Sequence, residues 1–247
     1  MTKLLLTGWD WVPSVVIGCA ALAFGYLATM RRRLYLRALW FLGGMLLLLL
    51  DLVSPIDALA DGYLFSAHIV QHFLLALVIP PLLILGLTAE MRLPAALPTS
   101  AAWLLGVGTM LIWHVPAFFN AALASDALHI FQHLTFLASG VIFWWPVLCP
   151  MEKRRLPPIV AVPYLFSACT ACSLLGAAIA FGSPGLYPAY LHPDDQLGIL
   201  PLIRDSWGLD AANDQRLGGL LMWVPGCFVY LSAILGTVSR WYQAAEA

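Results

Sequence analysis

Stretches of about 20 mostly apolar residues, the length a helix needs to cross the hydrocarbon core of a bilayer, recur seven times along this chain. They run roughly over 12–30, 34–53, 64–87, 101–118, 127–148, 160–182 and 218–237. Composition agrees, since 62% of the 247 residues are hydrophobic and 10% are charged, against roughly 25% charged in an ordinary soluble domain. Water is therefore not the solvent for most of this surface. The pattern predicts an all-α polytopic membrane helix bundle with about seven transmembrane helices, a single transmembrane helical domain over 1–247. Pro80-Pro81 interrupts the third run and Pro146 sits late in the fifth. Both predict kinks whose freed backbone groups are satisfied by neighbouring helices.

Positive charge predicts the orientation. Arg31, Arg32, Arg33 and Arg37 lie between runs one and two, Arg92 between three and four, and Lys153, Arg154 and Arg155 between five and six; Arg240 follows the seventh. An N-out/C-in arrangement leaves only Lys3, Arg204 and Arg216 of the 12 Lys and Arg residues outside. It also puts Asp57, Asp61, Asp126, Asp194, Asp195, Asp205, Asp210 and Asp214 outside. The net charge of -1 gives no case for nucleic-acid binding. Lys3 is the one basic residue ahead of the first run, and no small-x-small site follows a short apolar core, so that run reads as a retained helix. The extracytoplasmic loop over 183–217 is too long for a plain connector. Its Tyr187, Tyr190, Asp194 and Trp207 fit a partner-facing surface or a partly ordered cap over the helices.

Histidine is where the chemistry gathers. His68-Ile69-Val70-Gln71-His72 and His129-Ile130-Phe131-Gln132-His133 echo one another, and each opens a predicted span. On a helix, residues i and i+4 share a face with Cβ atoms about 5–6 Å apart. Two imidazoles so placed reach one metal ion at about 2.0 Å. Spans three and five both start outside, and span four ends outside near Trp113-His114-Val115-Pro116. Five of the six histidines are thus expected in one layer below the outer surface, and ionisable groups at such depth are costly and usually functional. The alternative is that they bond to headgroups, water or facing helices. Gln71 and Gln132 are candidates to orient the imidazoles or to bridge helices. Asp51 and Asp214 are extra ligands, counter-charges or helix-end residues, and Met222 is a soft thioether ligand or packing. The five cysteines lie mostly inside apolar runs and give no disulfide framework. Cys169-x-x-Cys172 sits mid-membrane, away from the histidines, and reads as packing, with a Cu(I) relay as the alternative.

Spacing does not choose among copper, zinc, iron and nickel. A zincin protease needs a glutamate beside its first histidine, where this chain has Ile69 and, in the repeat, Ile130. A haem would take one histidine from each helix and leave the second of each pair unexplained, yet a haem-binding redox protein stays open. A di-iron membrane oxygenase or desaturase would use more histidines, on the cytoplasmic side, with His-His clusters that this chain lacks. A third alternative is a structural chaperone whose histidines only bridge helices.

Several motifs together point to one family. Ser54-Pro55-Ile56-Asp57, His68 to His72 followed by Pro80-Pro81, Trp113-His114-Val115-Pro116, His129 to His133, Phe143-Trp144-Trp145-Pro146 and Met222-Trp223-Val224-Pro225-Gly226 resemble the seven-helix CtaG-type cytochrome c oxidase assembly proteins of bacteria. The resemblance covers about residues 50–235. It implies a multi-pass protein of the bacterial inner membrane, an assembly factor rather than an enzyme, that supplies copper to a cytochrome c oxidase subunit. Partners would include that subunit, periplasmic copper chaperones and membrane lipids. The copper ligands so implied are His68, His72, His129 and His133, with His114 assisting. The chain departs from the family's pattern at Ile69, where a methionine often follows the first histidine, so a soft donor is missing there.

Overall fold

The computed structural model describes residues 2–30, 35–89, 91 and 97–246. The predicted cytoplasmic Arg31, Arg32, Arg33 and Arg92 lie outside the described residues. Regular structure among the described residues is helical throughout: α1 (Thr2–Thr7), α2 (Pro13–Thr29), α3 (Tyr35–Val53), α4 (Pro55–Gly62), α5 (Phe65–Phe73), α6 (Ile79–Gly86), α7 (Thr99–Trp113), α8 (Pro116–Leu123), α9 (Asp126–Leu148), α10 (Pro158–Phe181) and α11 (Ala211–Glu246). A π-helical turn, Leu74–Val78, joins α5 to α6.

Five helices are long and apolar enough to cross a membrane: Leu36–Val53, Phe65–Gly86, Asp126–Leu148, Pro158–Phe181 and Ala211–Gln243. The pair α7 and α8 makes a sixth if taken as one span, and α2 is a shorter apolar helix. The expected seven is therefore approximate. Large apolar side chains such as Leu36, Phe166, Phe181 and Phe228 stand exposed around the bundle, an exterior that suits lipid and not water. This is a multi-pass membrane protein.

The fourth predicted span, 101–118, is not one straight helix. α7 ends at Trp113, and α8 leaves it at an angle of 74°. Pro116 disfavours helical backbone at the residue before it, and Val115 is extended at φ -62°, ψ 125°. His114 is left at the C-terminal cap of α7, where the turn brings it against the bundle.

The Pro80 irregularity is compensated as expected. In an unbroken helix the carbonyl of Ala76 would receive an N–H from residue 80, which proline lacks. Trp144 Nε1 of α9 donates to that carbonyl instead, at 3.2 Å.

The seventh predicted span begins earlier than hydropathy suggested. α11 starts at Ala211, where Asp210 Oδ1 accepts from the backbone N–H of Asn213 at 2.8 Å. The extra turn carries Asp214 to the start of α5. Its carboxylate accepts from Phe65 N at 2.7 Å and from Ser66 N at 3.0 Å. Asp214 thus caps the N-terminus of the helix that carries His68 and His72, the helix-end role among its expected alternatives. A negative group also suits the positive end of a helix. Asp214→Ala is expected to lower stability by about 1–3 kcal/mol, read as a lower thermal midpoint in detergent, with Asp214→Asn in between.

The connector predicted over 183–217 shortens to 183–210 and is an ordered cap. Tyr187 and Tyr190 are buried within it, whereas Asp194 and Trp207 are exposed. The ring of Tyr187 stacks on Phe65 with centroids 4.2 Å apart. Arg204 fastens the cap by donating to the carbonyls of Leu209 and, at 2.9 Å, Tyr190.

Candidate metal site

α5 and α9 present their i, i+4 histidines to one another. Ring centroids lie 4.3 Å apart for His68 and His72, and 4.2 Å for His129 and His133. Across the two helices, His68 is 5.2 Å from His129 and 5.8 Å from His133, and His72 is 5.7 Å from His133. His114 joins from the α7–α8 bend, 5.4 Å from His72. The structure brings together all five histidines that the sequence singles out. One ring nitrogen from each of His68, His129 and His133 lies within 4.8 Å of the other two. Imidazoles bound at about 2.0 Å around a tetrahedral ion sit roughly 3.3 Å apart, so these three need only small torsional adjustments to share one.

Hydrogen bonding fixes much of the tautomer pattern. Tyr190 Oη donates its one hydrogen to the carbonyl of Ala60 at 2.7 Å. His68 Nδ1, 3.1 Å from the same oxygen, must then be the donor. That leaves His68 Nε2 as an acceptor, and His72 Nε2 donates to it at 2.9 Å. His114 Nδ1 donates to the carbonyl of Met110 at 2.7 Å, which leaves its Nε2 as a bare acceptor. His72 Nδ1, His114 Nε2, His129 Nε2 and His133 Nε2 are buried without a hydrogen-bond partner among the described residues. Four orphaned imidazole nitrogens in one layer are an expensive arrangement for plain packing, and they fit a site that completes its bonds with a cation.

The supporting residues divide. Gln71 donates its amide to the Asp51 carbonyl at 2.9 Å and to Asp57 Oδ1 at 2.8 Å, so it ties α5 to α3 and α4 and touches no imidazole through a hydrogen bond. Gln132 is fully buried, and neither of its polar atoms has a partner. Both carboxylate oxygens of Asp51 are buried and unpartnered too. Met222 is buried beside a cavity that His72 and His114 also line. Cys169 does not pair with Cys172. Its thiol lies 3.5 Å from Cys227 on α11.

Three contributors escaped the sequence reading. Tyr190 sets the His68 tautomer from a connector whose aromatic residues gave no hint of direction. Asp61 places Oδ1 3.6 Å from His129 Nε2, although its position one turn after Asp57 on a capped helix was visible. Met110 lines the cavity beside His72 from a helix read only as a span. Asp10, Asp57 and Asp61 line an outer cleft of about 460 Å³, which reaches the histidine layer through the Asp61–His129 contact.

Asp57 lies outside the spans, and its carboxyl is pushed up to about 7, first by burial and then by neighbouring Asp61, with the Gln71 hydrogen bond opposing. A carboxyl that holds its proton in the folded state above the usual ~3.9 makes folding less favourable as pH rises from about 4 to about 7. The thermal midpoint is expected to fall between pH 5 and pH 8, and Asp57→Asn to flatten that fall.

Comparison with known proteins agrees with the motifs. No solved structure matches this chain. An uncharacterized protein of Mycobacterium leprae (strain TN) is 23% identical over 267 aligned residues, covering 94% of this chain and 39% of that protein. The chain therefore spans about two fifths of the length of the curated relative it matches. The family described as cytochrome c oxidase caa3 assembly factor matches residues 21–244. With nearly its whole length matched, the chain belongs to the family of cytochrome c oxidase caa3 assembly factors.

Proposed function

We propose that this protein takes up copper at its histidine layer and hands it to a subunit of a cytochrome c oxidase during assembly. The observation that carries the reading is the approach of His68, His129 and His133 ring nitrogens to within 4.8 Å, with His129 and His133 Nε2 unpartnered. Copper is the cargo. His68, His129 and His133 hold it, His72 and His114 stand by, and Asp51 and Gln132 are buried partners for a cation or for displaced protons. Capture at His68 Nε2 displaces the hydrogen bond from His72 and leaves Tyr190 bonded at Nδ1, so the ring keeps its orientation while its partner changes.

Family membership supports the role in oxidase assembly, and imidazole suits copper among several ions. The acidic cleft supports access for a cation from the side on which α4 and the cap lie. The protein is read as N-out/C-in in a bacterial inner membrane, with the histidine layer at the periplasmic face. α3 supports this, because Arg37 Nη1 near its start donates to the Leu87 carbonyl at 2.8 Å, and Asp51 near its other end meets Gln71. The positive end of the bundle and the histidine layer are thus at opposite ends of the same helix. Periplasmic copper chaperones on the giving side and an oxidase subunit on the receiving side are the partners this arrangement serves.

Metal analysis of purified protein after anaerobic loading tests the reading. At least one copper per chain, retained through desalting, is expected. Correctly folded protein that retains none overturns it.

A further inference from the structure

Two of the five histidines do not belong to the trio whose nitrogens converge. His72 and His114 instead line a cavity of about 40 Å³ deeper in the bundle, and the same cavity is lined by Met110, Cys172 and Met222. These five side chains come from α5, α7 with its cap, α10 and α11. All five are buried. Two observations set this cavity apart from an ordinary packing void. His72 Nδ1 and His114 Nε2 have no hydrogen-bond partner, although the side chains are 2% and 3% exposed. The same wall carries two thioethers and a thiol beside the hydroxyls of Tyr230 and of Ser139, which donates to the Phe136 carbonyl at 3.3 Å, whereas the outer trio offers imidazole alone.

We propose that this cavity is a second metal station, in which His72, His114, Met110 and Met222 hold Cu(I) beneath the outer histidine trio. Thioether sulfur selects monovalent copper over divalent ions, and a single positive charge costs less to bury in an apolar wall than a double one. The volume of about 40 Å³ is enough for an ion. The ion arrives and leaves as Cu(I), so no electron changes hands. Continuity between the stations is already present, because His72 Nε2 contacts His68 Nε2 of the outer trio at 2.9 Å while His72 Nδ1 remains for the inner one. This inference rests on the copper reading above and adds a separate site to it.

X-ray absorption on full-length protein loaded anaerobically with Cu(I) tests it, alongside Met110→Leu/Met222→Leu, a shape-preserving double variant, and His129→Ala/His133→Ala. Wild type is expected to hold two copper ions with a sulfur contribution in the copper shell. The methionine variant is expected to hold one and to lose that contribution, and the histidine variant to keep a sulfur-bound ion. Copper bound by nitrogen and oxygen alone in wild type, or a sulfur contribution and stoichiometry unchanged in the methionine variant, overturns the inner station and leaves the outer site standing. No copper in wild type overturns both.

Discussion

His129→Ala/His133→Ala is expected to abolish high-affinity copper binding at the outer site while the fold survives. The choice of pair follows from the hydrogen bonds. Replacing His68 would unseat Tyr190 and the cap, since His68 Nδ1 meets Tyr190 Oη. His129 and His133 have Nε2 atoms with no hydrogen-bond partner, so removing the rings breaks little internal structure. Structural zinc sites with four ligands bind with about 10–16 kcal/mol, roughly 3 kcal/mol per ligand, or ~10²-fold in affinity each. Loss of two of three donors therefore predicts a drop of at least ~10³-fold at this site. Isothermal titration with a Cu(I) competitor reads the affinity, circular dichroism and the thermal midpoint read the fold, and oxidase maturation in cells reads the function. Undiminished maturation in a stable variant that has lost this copper would show that oxidase maturation does not need the outer trio.

How much of this was legible in the chain depends on the range of the interaction. Apolar runs located most helices to within a few residues, because burial in lipid is a property of each segment. The i, i+4 histidines were legible for the same reason, as helical periodicity alone puts His68 beside His72 and His129 beside His133. The bend at Pro116 was written in the sequence, yet hydropathy reads through it. Only the extended backbone of Val115 reveals that His114 turns into the bundle. Long-range contacts were not legible. Asp214 caps a helix that begins 149 residues earlier, Tyr190 meets His68 across 122 positions, and Cys169 pairs with Cys227 and not with its neighbour in the C-x-x-C. No local rule encodes such partners. They follow from the way α11 returns against α5 and α10.

That return makes Gly219→Val the most damaging single change expected outside the histidine layer. α10 and α11 approach closely enough for backbone to touch backbone, the mode favoured between membrane helices through small residues. A Cβ on Gly219 would lie 2.5 Å from Ala180 N and 2.6 Å from Gly176 O, and one on Gly176 would lie 2.7 Å from Gly219 O. No rotamer relieves a clash with backbone, so the two helices must separate. Overpacking commonly costs about 1–3 kcal/mol, and a contact that moves a whole helix belongs at or above that range. The damage also reaches the site, because α11 carries Asp214, the cap of α5, and a Cβ on the adjacent Gly218 would already meet Phe65 at 2.5 Å. Gly219→Val is thus expected to lower the thermal midpoint sharply and to weaken copper uptake although it touches no histidine. Gly236→Ala, on the same helix with nothing within 4 Å of its Cβ position, is expected to change neither. Equal midpoints for the two variants would mean that α10 and α11 are not in backbone contact in the membrane, and the route from α11 to the histidine helix would be lost with that contact.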